Sequence, residues 1–126
     1  YKLADLFIDT FCFNAHTTTT EALWAGLPVV TKQGEGFASR VAGSLLKAIG
    51  LPELVADNEY DYETMILELA TNPAKLGILR KKLAVNRLSQ PLFDSKQYTR
   101  YLEKGYLKAY QNYFDGKSPK NIVVNK

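Results

Sequence analysis

One stretch of the chain gathers side chains that could hold an anion. His16, Thr17, Thr18, Thr19, Thr20 and Glu21 run into Ala22-Leu23-Trp24-Ala25-Gly26-Leu27-Pro28. The imidazole and the hydroxyls fall at the start of a short helical pattern. A helix N-terminus carries unpaired backbone N–H groups and the positive end of the helix dipole, and binds phosphate with little further help. Thr17 and Thr18 could donate to phosphate oxygens beside those amides. Glu21, one turn in, could accept from ribose hydroxyls, as an acidic residue does in dinucleotide sites. His16 is the only histidine. A lone histidine is more often a hydrogen-bonded structural residue than a catalyst. Placed before the threonines, it could instead donate to a departing diphosphate and stabilise the charge that builds there.

A purely structural alternative exists for the same residues. Thr18-Thr19-Thr20-Glu21 matches the capping box, in which Thr18 caps the helix and Glu21 caps back. One cap needs one hydroxyl, however, and consecutive threonines are poor helix formers because β-branching restricts their rotamers. The crowding is what a ligand explains and a cap does not; Thr18 could also do both.

Other constellations are thinner. Cys12 and His16 are too few for a zinc site, and no metal is expected. As a nucleophile pair they lack a third orienting group, so Cys12 is expected to be a small buried residue. Asp9 ends an apolar run, where it could meet a ligand at a sheet edge or cap the loop that follows. Gly34-Glu35-Gly36 is too short and general for a phosphate loop, yet could bring amides near a ligand. Arg40 reads as an ion-pair or packing residue, and Arg80-Lys81-Lys82 as a solvated helix face, because no aromatics interleave with it.

The elements that must position these residues follow from hydrophobic patterning. Leu6-Phe7-Ile8 is a brief apolar run of the kind buried on both faces of a parallel sheet. Thr18–Ala25 is a predicted helix, stopped by Gly26 and Pro28. Leu27–Thr31 is a second strand, Lys32–Gly36 a turn, Phe37–Ile49 a second helix, and Glu53–Ala56 a weak third strand or connector. Strand, helix, strand, helix, strand is the grammar of a doubly wound α/β domain, of which about half a sheet is expected here. The rest is helical. Asp57 or Asn58 could cap a helix carrying Tyr62, Met65, Ile66 and Leu69 on one face, broken at Asn72-Pro73. Leu76, Leu79 and Leu83 stripe the next, to about Ser89. Gln90–Phe93 links it to a long final helix from Asp94 or Ser95 to about Phe114. The tyrosines of that helix, Tyr98, Tyr101, Tyr106, Tyr110 and Tyr113, are expected mostly to pack, and Gly105 could mark a close backbone approach. A frayed tail follows. We divide the chain into residues 1–56, a partial Rossmann-like segment; 57–115, helices of the same lobe; and 116–126, the tail.

Composition narrows the class. With 46% apolar and 23% charged residues in a chain of 126, a packed single domain is expected rather than disorder. A net charge of +3 suits an anionic ligand and falls short of a nucleic-acid footprint. One cysteine permits no internal disulfide, which fits a reducing compartment. No apolar run approaches a membrane span and no signal peptide is visible, so a cytoplasmic location is the expectation. The chain opens on Tyr1 rather than Met, from which we expect it to belong to a longer polypeptide.

Several separated blocks together resemble one family. Asp9-Thr10, Asn14-Ala15-His16-Thr17-Thr18, Leu23-Trp24-Ala25-Gly26-Leu27-Pro28-Val29-Val30-Thr31, Gly34-Glu35, Ala38-Ser39-Arg40-Val41-Ala42, Ser89-Gln90-Pro91-Leu92-Phe93-Asp94 and Gln97-Tyr98-Thr99 are similar to the C-terminal catalytic lobe of the O-linked N-acetylglucosamine transferases. The resemblance implies a GT-B fold of two Rossmann-like lobes, often preceded by tetratricopeptide repeats, with the donor seated on the C-terminal lobe. It implies that His16, Thr17 and Thr18 contact the donor diphosphate and Glu21 the ribose, without metal or cofactor. It implies inverting transfer of N-acetylglucosamine from UDP-GlcNAc to Ser/Thr hydroxyls of a protein acceptor. Ala15 and Thr19 stand where the family often has Gly, and Glu21 where it often has Asp. The family's phosphate-binding lysine, base-reading segment and acceptor lobe precede the region matched, so no catalytic residue is expected in this chain, which alone should be inactive and prone to self-associate. SPINDLY-type relatives, which resemble the same lobe and use GDP-fucose, and a non-catalytic nucleotide-binding or interaction module remain alternative readings. Neither nucleic acid nor membrane is an expected partner.

Overall fold

A computed structural model describes Tyr1 and residues 3–124. The chain divides into two units, Tyr1–Phe93 and Asp94–Lys126.

In the first unit, strand β1 (Phe7–Ile8) leads through helix α1 (Thr17–Ala25) to β2 (Val29–Lys32), and β2 through α2 (Val41–Ala48) and a short 3-10 turn (Pro52–Leu54) to β3 (Val55–Ala56). The three strands lie in the order β1-β2-β3, all parallel. Phe7 pairs with Val29 and Ile8 with Val30; Thr31 pairs with Val55 and Lys32 with Ala56. Two helices follow, α3 (Glu59–Thr71) and α4 (Pro73–Ser89). This is the doubly wound α/β grammar expected from the apolar runs. Burial explains it: Val29, Val30, Leu23, Leu46, Ile49, Leu51 and Leu54 are all essentially inaccessible to solvent, the pattern of a central strand covered on both faces.

Local chemistry sets the helix ends. Gly26 adopts a left-handed conformation (φ 87°) after α1, and the amides of Gly26 and Leu27 return to the carbonyls of Leu23 and Ala22, as a glycine C-cap allows. Asn58 caps α3 by accepting from Asp61 N–H at 2.9 Å. Asn72 caps α4 by accepting from Lys75 N–H at 3.0 Å, with Pro73 at the first helical position, where its missing N–H is no loss.

One helix boundary and one basic cluster differ here from the sequence reading. The second helix begins at Val41, not Phe37. Residues 37–40 form a loop that closes on itself through Gly34 N–H to the Ser39 carbonyl (2.9 Å) and Ser39 Oγ to the Gly36 carbonyl (3.0 Å), so those groups are withdrawn from any helical ladder. Arg80 and Lys82 also do more than face solvent. Arg80 donates to the Ala4 and Asp5 carbonyls and to the Asp5 carboxylate, and Lys82 pairs with Glu53 at 2.5 Å.

The second unit is α5 (Ser95–Phe114), capped by Asp94 accepting from Gln97 N–H, and the segment after it. The expectation that its tyrosines mostly pack is overturned: α5 has no buried residue, and Tyr98, Tyr106, Tyr110 and Tyr113 are exposed. An amphipathic ring is tolerated at a wet surface because its hydroxyl stays solvated. The segment after α5 is not frayed through residue 124. It returns along the helix, with Lys108 Nζ donating to the Val123 carbonyl at 3.1 Å. A Cβ on Gly105 would meet Val124 at 3.7 Å, an ordinary contact rather than a tight one. Residues 125 and 126 of the predicted tail lie outside the described residues.

Candidate functional site

The candidate site lies where the chain leaves β1 at its C-terminal end and enters α1. Asp9 follows β1 directly and is buried. Its Oδ1 accepts from Thr10 N–H at 2.9 Å and from Ala15 N–H at 2.7 Å, and its Oδ2 accepts from Thr31 Oγ1 at 2.6 Å. Three donors converge on the two oxygens, which a carboxylate accommodates because both of its oxygens accept. The Tyr62 hydroxyl, from α3, donates to the Asp9 carbonyl. Burial, and then the adjacent Asp9 charge, push the Tyr62 phenol up to about 12. Of the two roles left open for Asp9, the structure selects the second: it ties down the loop that follows.

That loop spans residues 10–16. Thr10 Oγ1 donates to the Phe13 carbonyl at 2.8 Å, and Asn14 Nδ2 to the Thr10 carbonyl at 2.9 Å. The Ala38 carbonyl, from the loop before α2, accepts from Asn14 N–H at 3.0 Å and faces His16 Nε2 at 3.3 Å. A carbonyl only accepts, so Nε2 carries the proton and Nδ1 is the ring nitrogen left for a ligand. Phe13 stacks on the imidazole (centroids 4.8 Å apart, planes 18°), and Phe37 meets it edge-on at 6.3 Å. The histidine is thereby held on one face, one edge and one nitrogen.

Cys12 was expected to be buried; it is exposed, with φ 62°. Both ends of the loop are anchored, at Asp9 and at Asn14, so its apex is forced outward. The left-handed backbone of a non-glycine residue there is strained, as is common near functional sites.

His16 takes the N-cap position of α1 without a side-chain cap. The capping box is therefore not formed: the helix begins at Thr17, one residue earlier than read from the sequence, which puts Thr18 inside the first turn and Glu21 beyond it. Glu21 instead accepts from the Tyr1 hydroxyl at 2.9 Å, a bond that, with lesser desolvation and charge effects, raises the Tyr1 phenol. The four threonines divide into two pairs. Thr19 Oγ1 bonds back to the Ala15 carbonyl at 2.7 Å and Thr20 Oγ1 to the His16 carbonyl at 3.3 Å, the i−4 pattern of hydroxyls inside a helix. Thr17 and Thr18 are exposed, and among the described residues their hydroxyls bond nothing. The first turn of α1 holds no acidic residue, so no charge within that turn offsets the positive end of the dipole. The arrangement brings His16, Thr17 and Thr18 together around one helix start; Glu21 lies one turn along the same helix.

The far end of α1 is held as well. Arg87 Nη1 donates to the Trp24 carbonyl at 2.6 Å, and its guanidinium lies 5.6 Å from the centre of the Trp24 ring, which meets Phe93 edge-on at 5.0 Å. Among the described residues no group of three or more His, Cys, Asp or Glu is placed to hold a metal, and no helix is long and apolar enough to cross a membrane. Gly34 N–H is engaged by Ser39 and so is not free to meet a ligand. Thr31, Tyr62 and the Ala38 carbonyl were missed from the sequence. A signal existed for Thr31: the apolar runs of β1 and β2 each end in a polar residue, and with Ile8 opposite Val30 those two residues fall at one level.

A parallel sheet with a helix start at the carboxyl end of its first strand defines the α/β class in which ligands bind at strand C-termini. The chain belongs to glycosyl transferase family 41, whose profile matches residues 1–102. It is 41% identical over 123 residues to the probable UDP-N-acetylglucosamine–peptide N-acetylglucosaminyltransferase SEC of Arabidopsis thaliana, a match covering 97% of this chain and 13% of the relative. It is 40% identical over 124 residues to the UDP-N-acetylglucosamine–peptide N-acetylglucosaminyltransferase of Caenorhabditis elegans, covering 98% of this chain and 11% of that protein. Its structure resembles a mutant O-GlcNAc transferase of Thermobaculum terrenum with a TM-score of 0.81 at 35% identity, over 86% of this chain and 21% of that one. The chain thus spans about an eighth of the length of the curated relatives it matches.

Proposed function

We propose that this chain supplies part of the donor site of a protein O-glycosyltransferase that moves N-acetylglucosamine from UDP-GlcNAc to Ser/Thr hydroxyls. The single observation that carries the reading is the start of α1: exposed Thr17 and Thr18 hydroxyls and a His16 Nδ1 that have no partners among the described residues, with His16 Nε2 tied to Ala38. In this reading Thr17, Thr18 and the first-turn amides hold the diphosphate. His16 joins that shell through Nδ1 as an imidazolium, the form in which both ring nitrogens donate, and Glu21 exchanges its Tyr1 contact for a ribose hydroxyl. Donors set before the sugar departs stabilise the charge that grows on the leaving diphosphate, and binding energy on the nucleotide positions the sugar for attack. These residues bind and orient, and neither a metal nor a cofactor enters their chemistry. The acceptor and the other lobe are assigned to the remainder of the full-length polypeptide.

The test is Thr17→Ala with Thr18→Ala in the full-length protein, read as UDP affinity by calorimetry. A hydrogen bond to a charged group contributes about 1.5–3 kcal/mol, so losing even one weakens UDP binding about 10- to 100-fold. Affinity equal to the parent's refutes the assignment.

A further inference from the structure

The donor-site reading leaves open what sets the turn that presents the anion-binding groups, and the burial pattern around Asp9 answers it. We propose that Asp9 is a positioning residue: through Ala15 N–H it fixes the residue immediately before His16, and so sets where His16, Thr17 and Thr18 meet the diphosphate of a nucleotide ligand. This rests on the donor-site reading above.

Asp9 is only 4% exposed, and its carboxylate spans three parts of the fold: the first residue of the loop, the last residue before the N-cap, and Thr31 of β2. Ala15 is held from the other side too. Its carbonyl accepts from Thr19 Oγ1 at 2.7 Å, so the peptide units on both sides of Ala15 are fixed. Asn14, fully buried, adds the second strut by joining the loop to Ala38. The carboxylate is placed by the sheet, since Asp9 N–H donates to the Val30 carbonyl at 3.0 Å. The chain of contacts therefore runs from the sheet ladder to Asp9, from Asp9 to Ala15, and from Ala15 into the helix start. A negative charge beside a diphosphate site is unfavourable for an anion, so its retention there is explained by the geometry it enforces rather than by its field.

That distinction makes the proposal testable with three variants of Asp9 in the full-length protein, read as UDP affinity of the folded protein and as KM for UDP-GlcNAc. Asp9→Ala removes all three contacts and is expected to weaken UDP binding at least about tenfold. Asp9→Glu keeps the charge but moves the carboxylate by one methylene, and is expected to weaken it similarly. Asp9→Asn keeps the shape: its Oδ1 accepts from both amides, its Nδ2 donates to Thr31 Oγ1, and affinity is expected to return to within about threefold of the parent. A role confined to global stability would lower the unfolding temperature in all three without moving the affinity of the folded fraction. Where Asp9→Ala does not fold, Asp9→Glu decides, with Thr31→Val as the milder cut expected to raise the UDP dissociation constant about threefold. Parent-like UDP affinity in Asp9→Glu overturns the proposal, as does Asn failing to rescue while Glu succeeds. The Thr17→Ala, Thr18→Ala protein separates the two levels. If it binds UDP as the parent does, the site reading itself is wrong. If it does not, and Asp9→Glu does, only the positioning role falls.

Discussion

Removal of the Tyr62 hydroxyl is the sharpest probe of the buried node beneath the site. In Tyr62→Phe the ring remains, 5.1 Å edge-on from Phe11, but the Asp9 carbonyl loses the donor that reaches it from α3. Leaving a buried acceptor unpaired costs about 1–3 kcal/mol. For a unit of this size each kcal/mol moves the midpoint about 4–8 °C, so a fall of roughly 10 °C is expected at neutral pH. The phenol is also displaced upward to about 12 from its ordinary 10.0, which fixes the sign of an alkaline effect. Between those values the unfolded state releases the Tyr62 proton and the folded state keeps it. Stability is therefore whole below about pH 10 and declines as pH rises toward 12. Phenylalanine has no such proton, so the stability gap between parent and variant narrows above about pH 10. Tyr1 is raised as well, and is common to both proteins in the comparison. Urea unfolding followed by far-UV circular dichroism at neutral and alkaline pH reads both effects. A loss below about 0.5 kcal/mol at neutral pH, or a gap that widens with pH, would refute the reasoning.

Two further outcomes follow from backbone conformation. Gly50 has φ 74°, and a Cβ there would come within 2.8 Å of Asn86 Nδ2, which donates to the Ile49 and Gly50 carbonyls. Gly50→Ala is expected to cost about 2–4 kcal/mol in urea unfolding, from left-handed strain together with displaced hydrogen bonds; a change under about 1 kcal/mol counts against it. Cys12 sits exposed at the loop apex, so a maleimide should label one thiol per folded chain within minutes under conditions where the fold is intact. A thiol that reacts only after denaturant is added contradicts the outward apex.

Much of this architecture was legible along the chain because it is governed by near neighbours. The Asn58, Asn72 and Asp94 caps, the Gly26 stop and the Asn72-Pro73 break are local chemistry. The helices they bound fall where the periodicity places them. The runs Leu6–Ile8 and Leu27–Thr31, separated by a helix, pointed to a parallel sheet, in which Phe7–Ile8 and Val29–Lys32 are the paired strands. The cluster of His16 and the threonines was visible as composition, and the resemblance in separated blocks named the family that the relatives then showed. The loss of the capping box was not legible. Asn14 and His16 are drawn to the Ala38 carbonyl, which lies 24 and 22 positions further along the chain, and that pull starts the helix one residue early. The same loop shortened α2, because its own hydrogen bonds outcompete the helical ladder over 37–40. Which hydroxyls stay free and which turn back into the helix, where Asp9 finds Thr31 and Tyr62, and why Cys12 points outward all depend on contacts between residues distant in sequence. Side-chain chemistry names the groups able to meet a diphosphate. Only packing decides which of them are left unpaired to do so.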